Sequence, residues 1–365
     1  VGSHDVPAEF LLRSIELGRS ESLGGGDVRL ELAERTTVLV GKNGAGKSAL
    51  LERLSGAATI VAGIPSFQVA IDPERFACEL SDGAHRVSYG YRWVADGGGT
   101  DVVARLQESW RDDDQEPRTN PEAGWMINSG NGLSASRAGL LDDFDRRAWA
   151  RWTRMIDGNS LGSRLSRLRE QVLVAARGMK HHGRTPVGVL IQQLFDWKQK
   201  QPDVLEELCA IGRRTQLFHD IHFHELDDPE GKQKFVSADL DGVQIGLLSE
   251  GTLRALQIFI ALLEPKTRLL LIDEPENAVH PGLLRRLLLE IDAYADTRQI
   301  VLATQSPQVV SWAHPASIRL VERNDGATTV RSLDAATLAR LDTYLHEGDT
   351  LGDFIYGGGI DDAAE

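Results

Sequence analysis

The chain has 365 residues, 41% hydrophobic and 26% charged, with a formal net charge of −14, which supplies a core for one large or several ordinary domains and excludes a fibrous or low-complexity chain. No apolar run approaches the roughly 18 residues of a membrane span, no secretory leader is visible, and a cytoplasmic protein is expected. Cys78 and Cys209 are far apart and lack metal-ligand spacing, so neither a disulfide framework nor a zinc site is indicated, and the acidic balance disfavours a chain-wide electrostatic grip on nucleic acid.

Residues 11–17 and 28–32 predict two short strands around the Gly24-Gly25-Gly26 turn, and 36–40 a third, β-branched and apolar. A glycine-rich loop follows, then a helix over 48–54. After Pro65, residues 67–94 alternate in strand fashion around Asp82-Gly83 and predict a small antiparallel ribbon. The stretch 97–132, with Gly97-Gly98-Gly99, Asp112-Asp113-Asp114 and two prolines, reads as loop. Helical spacing predicts helices over 140–155, 161–176 and 187–200. A second β region, 221–247, is broken at 227–231 and at Asp241-Gly242, and leads into a helix over 252–264. The pattern then becomes α/β: an apolar strand at 269–272 of the kind buried on both faces, a helix over 283–294 and a second buried strand at 300–303. No internal repeat is visible.

Four segments carry chemistry. Gly41-Lys42-Asn43-Gly44-Ala45-Gly46-Lys47-Ser48 matches GxxxxGK[ST] between a predicted strand and a predicted helix. In that pattern backbone N–H groups, through Ala49, surround phosphates at the positive helix end, Lys47 reaches the β- and γ-phosphates and the Ser48 hydroxyl ligates magnesium. Asp273 and Glu274 close the strand at 269–272, at the sheet edge where α/β proteins bind ligands. Asp273 is the candidate magnesium ligand, and Glu274 the candidate group for accepting a proton from, or orienting, the attacking water. Leu248-Ser249-Glu250-Gly251-Thr252 precedes a helix 24 residues upstream of Asp273; Ser249 reads either as an ordinary N-cap or, with the helix N-terminus, as an anion site. Ala303-Thr304-Gln305-Ser306-Pro307 ends the next buried strand and puts Gln305 near the γ-phosphate.

These four in this order resemble the ATP-binding-cassette (ABC) ATPases, and IDEPENAVHP followed by ATQSP looks like their non-transporter branch of RecF, SMC and OLD (overcoming-lysogenization-defect) proteins and bacterial defence ATPases. The likeness spans residues 11–56 and 240–320. It implies an α/β fold: an ABC-type ATPase head with a P-loop parallel or mixed sheet, an antiparallel β subdomain and a helical insert, arranged as lobes 5–95 and 221–345, an insert 96–220 and a tail 346–365. The implied ligands are ATP and Mg2+, with Glu274 and Gln305 catalytic. Ser249 and Gly251 would contact ATP held by a second copy in a head-to-tail, ATP-dependent homodimer. Glu250 and Thr252 depart from the transporter-type signature, and Gln305 stands where many relatives carry histidine. The segment 276–281 matches the loop that crosses that dimer interface, with His280 a candidate contact. For the family's glutamine loop both Gln68 and Gln107 are candidates, Gln68 slightly favoured, and Arg19 follows the first strand where relatives often carry a basic residue near the nucleotide, although a solvated surface arginine explains it better.

The implied function is ATP hydrolysis that controls a separate effector, a nuclease among the candidates, in antiviral defence or DNA repair. The alternatives are a transporter's nucleotide-binding subunit and an ATP-gated DNA clamp. DNA contact would fall to the segment 137–184, which opens on Arg137, closes on Arg184 and includes Arg164, Arg167 and Arg169; it holds 11 Lys/Arg against 5 Asp/Glu, leaving −20 for the rest. A solvated helix face explains that segment equally well. His219, His222 and His224 beside Asp220 and Glu225 lack helical metal-ligand spacing and read as polar-face histidines.

Overall fold

The computed structural model describes residues 11–61, 75–81, 83–84, 86–96, 102–112, 116, 118–129, 132–136, 186–227, 234–264 and 269–359. They divide into two compact units. One takes the chain up to Ser160 with Lys266–Asp273 and Thr297–Glu365; the other takes Leu161–Pro265 with Glu274–Asp296. The predicted helices at 140–155 and 161–176, the basic segment 137–184 and Gln68 lie outside the described residues.

The first unit holds two sheets. Its five-stranded sheet runs β12 (Leu269–Asp273), β13 (Gln299–Thr304), β3 (Thr36–Val40), β14 (Ile318–Asn324) and β15 (Ala327–Ser332). β12, β13, β3 and β14 are parallel neighbours, and β14–β15 is an antiparallel hairpin turned by Asp325 at φ 50° and Gly326 at φ 85°, the Asp-Gly type of hairpin turn. TTVLV, LLLID and QIVLAT are near-continuous apolar runs because these strands are covered on both faces.

The antiparallel sheet has seven strands in the order β2 (Val28–Glu31), β1 (Leu11–Leu17), β4 (Arg75–Ser81), β5 (Arg86–Asp96), β6 (Val102–Asp112), β7 (Arg118–Ser129) and β8 (Gly132–Ser136). Ile15, Leu17, Phe76, Leu80, Tyr89 and Tyr91 on its inner face meet Leu50, Leu51 and Leu54 of α1 (Lys47–Val61) and Leu271, Val301 and Ala303 of the parallel sheet in one core. Each leucine that α1 buries contributes about 1.5–3 kcal/mol relative to exposure. Gln299 staples the sheets together: its Oε1 accepts from Leu12 N at 2.7 Å, and its Nε2 donates to the carbonyls of Leu12 and Ala33, both at 2.9 Å.

The loop reading of 97–132 is overturned by β6, β7 and β8. Backbone pairing extends from Val87↔Asp112 to Asp96↔Val103, so this polar stretch completes its hydrogen bonds as a ladder. Pro121 lies where the β6–β7 register shifts, between Leu106↔Gly124 and Glu108↔Asn120. A proline is tolerated in a strand at such an irregularity. Among its described residues the first unit also contains the helices α6 (Pro307–Trp312), α7 (Ala335–His346) and α8 (Leu351–Tyr356).

The second unit contains α2 (Pro186–Lys200), α3 (Pro202–Thr215), α4 (Glu250–Leu263), α5 (Pro281–Tyr294) and a three-stranded antiparallel sheet in the order β11 (Val243–Gln244), β10 (Lys234–Leu240), β9 (Ile221–Asp227). α3 was not assigned from sequence, although Pro202 at its first turn and burial of Leu208, Cys209, Ile211, Gly212 and Thr215 give it a start signal and an apolar face. It is tied to α5 by Arg214, which donates to both Glu290 oxygens at 3.0 and 2.9 Å and to Glu207 at 3.0 Å, while the Tyr294 hydroxyl donates to Glu207 at 2.7 Å. Among the described residues no helix is long and apolar enough to cross a membrane.

Candidate nucleotide site

Parallel register places the candidate groups of the first unit along one edge. Asp273 pairs with Ala303 and Ala303 with Leu39, while Thr304 pairs with Val40. The carboxyl ends of β12, β13 and β3 therefore lie level, and Asp273, Gln305 and the loop at Gly41 leave the sheet together. Neighbouring strands lie about 4.8 Å apart, so Asp273 sits roughly 10 Å along the edge from the strand that carries the loop. Thr304 is fully buried and its Oγ1 accepts from Ser306 N at 2.9 Å, turning the chain sharply there; Gln305 is exposed.

In the loop, Gly44 and Gly46 have φ of 79° and 106°, which glycine alone adopts without strain. A Cβ on Gly44 would meet only open space, so that side of the loop faces outward. Lys42, Asn43 and Gly44 are exposed, Ser48 and Ala49 are half-buried and Ala45 is buried. Lys47 is buried, with Nζ donating to the carbonyls of Gly41 at 2.6 Å and Lys42 at 3.1 Å. An ammonium folded across a loop mouth at the positive end of α1 is suited to an anion. The donor set fits a triphosphate, and the Ser48 hydroxyl and Asp273 carboxylate are the oxygen ligands a hard divalent cation takes alongside phosphate oxygens.

The loop also has a support that the motif does not contain. The buried Thr328 hydroxyl, on β15, donates to the Ala45 carbonyl at 3.0 Å. A Cβ on Gly46 would overlap that same side chain, and one on Gly41 would overlap the Val321 carbonyl of β14. The hairpin is absent from the sequence reading although Asp325-Gly326 is its turn signal, and its contact with a loop 283 residues away has no local signal at all. Thr328→Val keeps the shape and leaves the buried carbonyl without its donor, at a cost of about 1–3 kcal/mol. It should weaken Mg-ATP binding about tenfold, measured by calorimetric titration with the circular dichroism spectrum unchanged. Wild-type affinity would remove the hairpin from the binding machinery.

In the second unit, Ser249 is the exposed N-cap of α4: its Oγ accepts from Thr252 N at 3.2 Å and lies 2.8 Å from Thr252 Oγ1. Gly251 is buried, and a Cβ there would overlap the Ala278 carbonyl. Glycine at this position thus has a reason within the chain, close approach to the loop after Glu274. That loop is closed by Asn277 N donating to Glu274 O at 3.0 Å and Val279 N to Glu276 O at 3.1 Å. His280 is exposed and caps α5, with Nδ1 accepting from Gly282 N at 3.1 Å.

Gln107 lies within β6 of the antiparallel sheet, its Oε1 accepting from Arg92 Nε at 2.8 Å. Arg19 is exposed, and its backbone N–H donates to Asp27 at 3.2 Å. His222 and His224 both meet Asp239, at 3.2 and 2.7 Å, and the hydrogen bond from His224 is the main force holding the Asp239 carboxyl below its usual 3.8. Among the described residues no three His, Cys, Asp or Glu side chains form a metal-holding group. Burial pushes the Cys78 thiol well above its usual 9.0, which makes it unreactive.

A phosphate-type loop and an aspartate-ended strand at one edge of a parallel sheet are the arrangement that binding of a nucleoside triphosphate uses. Residues 164–311 match a family described as "AAA domain, putative AbiEii toxin, Type IV TA system". That span contains LSEGT, IDEPENAVHP and ATQSP but not the phosphate loop. No curated protein matches the chain. Among solved structures it is similar to an SMC head bound to the C-terminal winged-helix domain of ScpA, at 14% identity and a TM-score of 0.45, over 90% of this chain and 99% of that one. It is also similar to an SMC head with an extended coiled coil bound to the C-terminal domain of ScpA, derived from Pyrococcus furiosus (15%, TM-score 0.42, 92% and 100%). A third is the SMC head domain from Thermotoga maritima (14%, TM-score 0.42, 89% and 99%).

Proposed function

We propose that the protein binds and hydrolyses Mg-ATP at a site completed head-to-tail by a second copy, and that the ATP-held dimer controls a separate effector in antiviral defence or DNA repair. The observation that carries the nucleotide reading is the level alignment of the phosphate loop, Asp273 and Gln305 along one sheet edge. In this reading the loop's N–H groups and Lys47 hold the phosphates, and Ser48 and Asp273 hold magnesium. The ion, when bound, neutralises charge on the β- and γ-phosphate oxygens. Glu274, next in the chain after Asp273, takes a proton from the water whose oxygen bonds to the γ-phosphorus as the bond to ADP breaks. Gln305 offers an amide for hydrogen bonding to that phosphate or water.

The dimer reading is supported by Ser249, exposed at the positive end of α4, where it can meet an anion that its own chain does not supply. The defence reading is supported by the matched family's description as a putative toxin of a type IV toxin–antitoxin system. The effector in this reading is a separate protein, with a nuclease among the candidates.

Ser249→Arg tests the composite site, because it sets bulk and charge where the partner's loop would close. The variant should remain monomeric with Mg-ATP by light scattering after size exclusion, and lose turnover about 10³-fold, as when a group supplied in trans is removed. Wild-type turnover with unchanged mass would mean that Ser249 is only a helix cap.

A further inference from the structure

Among the described residues Glu274 is one of five non-glycine residues with positive φ, at 47°, and it precedes Pro275, whose ring favours extended backbone in the residue before it. Ala278, four residues on, has φ 61°. Residues held in this way are strained and persist only where their surroundings impose the conformation. The surroundings here are specific. Asn277 N donates to the Glu274 carbonyl at 3.0 Å, and Arg254 Nη2 donates to the same oxygen at 3.3 Å. Arg254 belongs to α4, one turn after Gly251, whose missing side chain admits the Ala278 carbonyl. Positions i and i+3 share a helix face, so one face of the LSEGT helix touches the strained loop at both of its left-handed residues.

We propose that Arg254 is a positioning residue for Glu274. Its guanidinium grips the carbonyl of the strained residue, fixes the direction in which the Glu274 carboxylate leaves the backbone, and ties that direction to the helix capped by Ser249. Displacement of α4, as when a partner's nucleotide engages Ser249, therefore turns the Glu274 peptide. The proposal rests on the reading of Glu274 as the group that activates water. It adds a path within one chain by which assembly at Ser249 switches that group on. Arginine suits the role because its planar fork holds a fixed geometry on a carbonyl, whereas lysine offers a mobile point charge.

The test is steady-state ATP turnover of Arg254→Ala, Arg254→Lys and Glu274→Gln beside the wild type, with nucleotide affinity measured separately. Arg254→Ala should lower kcat about 100-fold, the scale of a reacting group misplaced by about 1 Å, with Kd for Mg-ATP unchanged. Arg254→Lys should recover part of kcat. A merely structural arginine would instead move affinity and kcat together and show no rescue by lysine, and that result overturns the proposal. Inactive Glu274→Gln beside wild-type kcat in Arg254→Ala leaves the role of Glu274 standing and removes that of Arg254. Wild-type turnover by Glu274→Gln removes both. Should Arg254→Ala fail to fold, Arg254→Lys decides alone: reduced kcat at unchanged Kd supports the role, and wild-type kcat refutes it.

Discussion

Lys47→Ala should lose Mg-ATP affinity about 10³-fold while keeping its fold. An ammonium about 4 Å from a phosphate charge, at an effective dielectric of about 20, contributes roughly 4 kcal/mol, and each 1.4 kcal/mol is about tenfold in affinity. The Nζ is held by the Gly41 and Lys42 carbonyls, so removing it frees two acceptors of the loop. The hydrophobic core beneath, built on Leu50, Leu51 and Leu54, is untouched. Titration with a fluorescent ATP analogue gives the affinity, and thermal unfolding reports the fold. Affinity within threefold of wild type would show that the lysine is a structural tie of the loop and not a phosphate ligand.

Glu274→Gln should bind Mg-ATP with wild-type affinity and lose about 10²–10⁴ in turnover, the range contributed by a positioned general base. Glutamine keeps the size of the side chain and its hydrogen-bonding capacity but cannot accept the proton. The backbone strain is common to both residues, and the Arg254 contact is to the main-chain carbonyl, so the loop at 274–279 should survive the change. Phosphate release under single-turnover conditions separates this from a binding defect. Retained turnover would move the catalytic role to another side chain.

Much of the parallel sheet could be read in advance because its strands are short apolar runs whose ends carry GKNGAGKS, DEP and ATQSP. Burial on both faces and a turn at each strand end leave a local signature. The antiparallel sheet was half legible. Its first strands alternate apolar and polar residues, whereas β6 and β7 are polar, interrupted by Pro121 and flanked by turn residues, so their identity comes from pairing with β5 and not from local preference. Supports of the candidate site were illegible for a related reason. Thr328 beneath Ala45 and Arg254 on the Glu274 carbonyl are long-range contacts to backbone atoms, and a backbone carbonyl has no side-chain signature to match. Gly251 illustrates the opposite hazard: the motif explains it by a ligand, while the chain itself gives it a packing reason in Ala278.

An ATPase whose site closes between two copies changes mass with its nucleotide, and Glu274→Gln in solution isolates that change. With hydrolysis blocked, intact ATP is retained as the link between one copy's phosphate loop and Ser249 of the other, and removing the γ-phosphate removes that link. Light scattering after size exclusion should give a dimer with Mg-ATP and a monomer with Mg-ADP. A mass that is the same with both nucleotides would contradict it.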